Sequence, residues 1–265
     1  MTTRRAIRFT RLSRYPFVSS LDLCSQAFFV GDPTITLNVI NQCNHKVWAA
    51  ILQNSGSPTI PTSGFSLKPG ESKTLSVPAG TWSGRLWGRT RCNHDDAGKF
   101  SCVTGDCGTA TVECSTGRFT PPVSVAELFL NSSAGELDWY DISFVDGFNL
   151  PMSVAPTDAT SGSGSCSISG CDVDLNRLCP TELRMDHKGQ TMACKSSCDA
   201  RAVPTSCEPK SYSEYFKNLC PRARVYASDR TSLMSCSSLA YDVIFCPSSS
   251  SPANNSRSSP ANSTG

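Results

Sequence analysis

No run of eighteen consecutive apolar residues occurs in the 265-residue chain, so no segment reads as a membrane-spanning helix. Histidine is scarce, and His45, His94 and His187 never stand at the three- to five-residue spacing of a metal-binding pair. There is no C-x2-C pair either; the spacings are of the kind Cys102-x4-Cys107-x6-Cys114 and Cys194-x3-Cys198. These absences count against zinc. A surplus of charge is lacking as well. The nominal net charge is +2, but five of the 24 basic residues and two of the 22 acidic ones precede Thr34, leaving nineteen bases against twenty acids. A body so close to neutrality offers no electrostatic footprint for nucleic acid or an anionic membrane.

What the chain does have is cysteine, fifteen in all. With zinc disfavoured, that number reads as a disulfide framework and hence as a secreted, extracellular protein. The stretch GKFSCVTGDCGTATVEC (98–114) makes the need plain. Its residues cannot hide an apolar face, so a fixed shape there calls for covalent ties.

Residues 1–33 begin with five arginines and continue as YPFVSSLDLCSQAFFV, the two parts of a secretion signal, although Asp22 breaks the apolar part. The alternative is a wrongly assigned first exon. On both readings the segment, with Cys24, stands outside the folded body, which keeps an even fourteen cysteines. Residues 248–265 are Ser, Pro and Asn with nothing larger than alanine to bury, and are expected to be disordered. They carry the glycosylation sequons at Asn254 and Asn262; a third lies at Asn131. A serine-rich spacer of this kind can precede a lipid-anchor signal, but no hydrophobic tail follows it.

Between these ends the pattern is β. Ile35, Leu37 and Val39 alternate with Thr36 and Asn38, the period of a half-buried strand. NQCNH turns the chain into a second apolar run, Val47–Leu52, and short strands follow between KPGES, PAGTWSG and VDGFN. The spacing suggests a sandwich. Residues 90–114 and the region around 160–210 are cysteine- and loop-rich, with a capping box at Ser211–Glu214 ahead of Tyr215 and Phe216. The expectation is one body, 34–247. Its β core comprises 34–89, 115–170 and 221–247, with a small disulfide loop lobe at 90–114 and a cysteine-rich lobe at 171–220.

Gly98-x-Phe100-x-Cys102-x-Thr104-Gly105-Asp106-Cys107 resembles the signature of the thaumatin-like, pathogenesis-related proteins of plants. GRLWGRTRC (84–92), DGFNLPM (146–152), CPTELR (179–184), EYFKNLCPRA (214–223) and IFCP (244–247) match as well. The resemblance implies a mainly β fold, a sandwich core with two disulfide-rich loop and helix excursions. It also implies the pairs Cys43–Cys246, Cys92–Cys102, Cys107–Cys114, Cys166–Cys236, Cys171–Cys220 and Cys179–Cys194. The partners that Cys198 and Cys207 have in the family are deleted here, which leaves these two to pair with each other as a seventh bridge. Resistance to heat and protease is expected to follow.

The family's acidic cleft is attributed to one arginine, one glutamate and three aspartates. The matching positions are Arg85, Glu127, Asp141, Asp146 and Asp229. Residue patterns speak to some of them. In VSVAELFL, Glu127 interrupts an apolar strand and must face a cleft or a cation. In LDWYDISFV, Tyr140, Ile142 and Phe144 share one face, which puts Asp141 on the other with Trp139 and Ser143. Asp138 has the wrong parity to join Asp141 and reads as surface charge. Asp146 precedes Gly147, where turn chemistry and cleft lining are compatible. Two carboxylates on a groove can hydrolyse a glycosidic bond. Glu127, raised by apolar neighbours, is expected to be the acid, with Asp141 or Asp146 as its partner and Arg85 and Asp229 as binding residues. No metal or cofactor is called for. The resemblance implies the β-1,3-glucan of fungal walls as the partner of a monomer, with weak endo-glucanase activity and binding without turnover both open. The alternatives are a non-enzymatic antifungal acting on membranes or surface receptors, and an inhibitor of microbial glycanases or proteases.

Overall fold

The computed structural model describes residues 34–115, 118–133, 135–196 and 211–248. The first half of the chain is strand after strand: β1 (Ile35–Asn41), β2 (Val47–Gln53), β3 (Gly64–Leu67), β4 (Ser72–Val77), β5 (Thr81–His94) and β6 (Phe100–Thr104). Then come β7 (Val125–Asn131), β8 (Asp138–Ser143), β9 (Met152–Pro156), β10 (Ala159–Gly164) and β11 (Ser169–Cys171). A short helix α1 (Leu175–Leu178) leads to the hairpin β12 (Arg184–His187) and β13 (Gln190–Cys194). Helix α2 (Ser211–Leu219) precedes β14 (Met234–Ser238) and β15 (Ala240–Phe245).

The strands form two main sheets. One runs β11-β9-β15-β1-β4; the larger runs β10-β14-β8-β7-β5-β2-β3, with β6 paired to the far end of β5. Both contribute to one apolar cluster, in which Leu37, Val154 and Val243 from the first sheet join Ile51, Leu128 and Ile142 from the second. The alternation in β1 is what puts Ile35, Leu37 and Val39 there. β1 and β15 lie parallel, and the Cys43–Cys246 bridge ties their ends. A loop of 203 residues closed in this way is worth about 5 kcal/mol in the loop-entropy treatment.

Six of the seven implied bridges lie in the described residues, with the pairing the resemblance gave. The Cys198–Cys207 pair, Cys24, the leader 1–33, and Asn254 and Asn262 fall outside them. So does the Ser211 side chain on which the capping box depends. Asn131 ends β7 half-buried, its side-chain oxygen accepting from the Ser133 N–H.

The 98–114 segment owes its shape to more than sulfur. Cys92 and Cys102 are cross-strand partners on β5 and β6, and Cys107–Cys114 closes the following loop. Between them lies the fully buried Arg89, which donates to the carbonyls of Trp48, Ala49 and Val112. Burial pulls its pKa down to about 10, against the pull of Asp106 and Glu113. The loop presses so tightly on β3 that a Cβ at Gly64 would meet the Val112 carbonyl oxygen at 2.0 Å.

One expectation is corrected here. Asp138 is not surface charge but buried, accepting from the Asn131 N–H at 2.6 Å, the Tyr241 hydroxyl at 2.5 Å and the Ser238 N–H at 3.3 Å. Strand parity says which face a side chain takes. It does not say that β14 and β15, a hundred residues on, will close over the start of β8.

Candidate functional site on the large sheet

Three neighbouring strands carry the row. Arg85 on β5 is the register partner of Glu127 on β7, and Glu127 is the register partner of Asp141 on β8. Directly opposed residues on paired strands hold their Cβ atoms about 5 Å apart, so the three side chains emerge side by side. Arg85 Nε lies 3.3 Å from Glu127 Oε1. A second guanidinium completes the arrangement: Arg224 Nη1 reaches Glu127 Oε2 at 3.0 Å and Asp141 Oδ2 at 3.6 Å. Arg224 is fixed by its backbone, which donates to the Ile142 carbonyl and accepts from the Phe144 N–H. A buried carboxylate needs a counter-charge, and that rule applied to CPRARV (220–225) was the available signal for Arg224.

The two carboxyls differ in setting. Glu127 is half-buried between its two guanidinium groups. Asp141 lies beneath them, 2% exposed, on the face opposite Tyr140 and Ile142 as parity requires. Among the described residues its Oδ1 has no hydrogen-bond partner. Burial, and next the negative charge of Glu127, push its pKa up to about 7; Arg224 pulls the other way and Asp229 adds to the rise. Burial thus sets Asp141 above the ordinary carboxylate range. Sequence reasoning counted the apolar neighbours of Glu127 along β7 and could not see two arginines arriving beside it from other segments.

Asp229 is buried behind the row, in electrostatic reach of Asp141. Its Oδ2 accepts from Lys217 Nζ at 2.7 Å, and its Oδ1 from the Thr231 N–H and hydroxyl. Burial alone would raise its pKa, but the bonds from Lys217 and Thr231 and the lysine charge bring it below the ordinary value. Asp146 is half-buried in the turn after β8, where its carbonyl accepts from the Val123 N–H. Gly147 beside it has φ of +92° and lies against Pro122 and the Cys194 carbonyl, too close for any Cβ.

Two residues along β7 and β8, Phe129 faces Trp139, and both are 42% exposed. By the two-residue period they stand on the same face as Glu127 and Asp141. The surface thus combines a row of paired charges with two exposed rings.

Residues 41–247 match the family model described as the Thaumatin family. The chain is 43% identical over 257 residues to "Thaumatin-like protein 1" of Arabidopsis thaliana, covering 90% of this chain and 96% of that protein. It is 44% identical over 251 residues to "Pathogenesis-related thaumatin-like protein 3.5" of Cryptomeria japonica, 88% of this chain and all of the relative. To "Pathogenesis-related protein 5" of Arabidopsis thaliana the identity is 42% over 219 residues, 78% and 88% of the two chains.

Proposed function

Because this chain belongs to the thaumatin family, with pathogenesis-related plant proteins among its relatives, we propose that it is a secreted defence protein that binds the β-1,3-glucan of fungal walls along the Arg85–Glu127–Asp141 row. The observation that carries this reading is the pair of adjacent cross-strand rows, charged groups in one and the exposed Phe129–Trp139 pair in the other. Sugar rings present apolar C–H faces that lie on aromatic rings, and hydroxyls that bond to guanidinium N–H groups and carboxylates. The charges of the row are engaged within the protein, which suits a neutral polymer. Six disulfides among the described residues fit an oxidising, extracellular compartment. No helix among the described residues is long and apolar enough to cross a membrane.

Hydrolysis is a slow accompaniment to binding on this reading. Asp141 keeps its proton in a mildly acidic wall and passes it to the glycosidic oxygen as the bond to the anomeric carbon breaks, a water adding to that carbon and giving its own proton to Glu127. Asp141 lies beneath the guanidinium groups, which keeps turnover low. Glu127 opposes the positive charge that develops at the anomeric carbon. Reducing-sugar release from a soluble β-1,3-glucan is expected to fall to background in Asp141→Asn and Glu127→Gln. Retention on insoluble glucan is expected to drop in a Phe129→Ala/Trp139→Ala pair. Unchanged retention in that pair would remove the row as the binding surface.

A further inference from the structure

Away from the carboxylate row, two clefts meet beside the β12–β13 hairpin. One, of about 710 Å³, runs between the β5–β6 end and the hairpin turn, past Cys92, Cys102 and Lys188. The other, of about 660 Å³, is bordered by His45, α1 and the start of β12. Arg91, Gln190 and Met192 line both, so they form one continuous groove.

The groove is strongly positive. Arg91, Arg177, Arg184 and Lys188 line it, and Asp174 is the one acid among its described lining residues. Two of the arginines are committed only through Nε: Arg177 pairs with Asp174 at 3.2 Å, and Arg184 donates to the Cys179 carbonyl at 2.9 Å. His45 has its pKa lowered by burial and then by the Arg91 charge, with Asp174 pulling the other way, so the field comes from the guanidinium groups. Arg91, where the clefts join, also has a strained backbone. Its φ is +55°, in the left-handed region that a long side chain seldom occupies. Among the described residues only a loose 3.4 Å bond to Gln190 Oε1 engages its side chain, and the residue is exposed. A strained, exposed arginine at the junction of two clefts is placed for something outside the protein.

We infer that this groove binds a polymer of uronic acid sugars, the arginines taking the carboxylates and the amides of Gln190 and Asn93 the hydroxyls. Arginine meets a carboxylate through two parallel N–H···O bonds, and the groove has room for several sugar units. Apart from two histidines there is no aromatic ring among the described lining residues, so nucleobases would find no stacking platform. The groove shares no residue with the Arg85–Glu127–Asp141 row. Failure of either reading leaves the other standing.

The test uses the full-length, disulfide-intact protein and calorimetric titration with a galacturonic acid pentamer and its methyl ester, in which each carboxylate loses its charge to a methyl group. The wild type is expected to bind the acid and not the ester. Replacing Arg91→Gly together with Arg184→Gln is expected to weaken acid binding by about tenfold or more. Glycine accepts the left-handed backbone, so the melting temperature of the Arg91→Gly single variant is expected to hold or rise while its binding falls. A purely structural arginine would not separate the two readouts. Three results would overturn the inference: equal binding of acid and ester or of neither, wild-type affinity in the double variant, or equally tight binding of inorganic polyphosphate.

Discussion

Arginine serves opposite ends in two regions of this molecule. In the row across β5, β7 and β8, Arg85 and Arg224 are taken up by Glu127 and Asp141, and Lys217 behind them by Asp229. In the groove beside β12 and β13, three arginines and a lysine face one aspartate. Positive charge acts as mortar in the first region and as a handle in the second. A chain whose total is near zero can therefore hold one surface suited to neutral ligands and another suited to anions. Net charge reports the sum of such regions and none of their contrast.

The comparison breaks most sharply at Arg224. Arg224→Met takes the shared counter-charge from two carboxyls, one of them buried, and is expected to cost about 3–5 kcal/mol in urea unfolding above about pH 8, where Asp141 has lost its proton. A loss no larger than a surface pair gives would show that the row is not held together by charge. The next effect is a pH dependence. A carboxyl whose pKa rises on folding stabilises fully below its unfolded value, and that contribution disappears as pH rises through the folded value. For Asp141 the window runs from about pH 4 to pH 7, and Asp141→Asn is expected to gain about 3 kcal/mol on the wild type across it. Unfolding free energies of both proteins at the two ends of the window check this; a constant difference would mean that Asp141 does not hold its proton. Third, raising salt is expected to weaken uronate binding several-fold and leave glucan retention unchanged, since only the groove uses unpaired charge. The smallest effect belongs to Arg85→Gln. Its side chain is 46% exposed, so the stability change is expected to stay below about 1 kcal/mol in the same urea assay.

The strands and sulfur bridges were legible because their rules are local or carried by motif. Ile35, Leu37 and Val39 are buried as their alternation requires, and all six described bridges match the wiring the resemblance implied. Parity also chose the face of Asp141 correctly. It did not choose its depth, which depends on Arg224 crossing from the segment after α2. Asp138 failed for the same reason, its donors coming from β14 and β15. Nor does the segment around Arg91 announce the groove, whose cations come from β5, α1, β12 and the hairpin turn. Contacts between distant segments decide these sites, and a linear pattern holds no record of them.

The Cys43–Cys246 bridge has one more effect. With its two partners joined, everything from residue 43 to 246 is a covalent ring on which the other five described bridges are chords. A fungal protease that nicks any single loop of a ring opens it but sets nothing loose. Two cuts are needed before a fragment can leave, and each chord that spans the cut segment adds another bond to break.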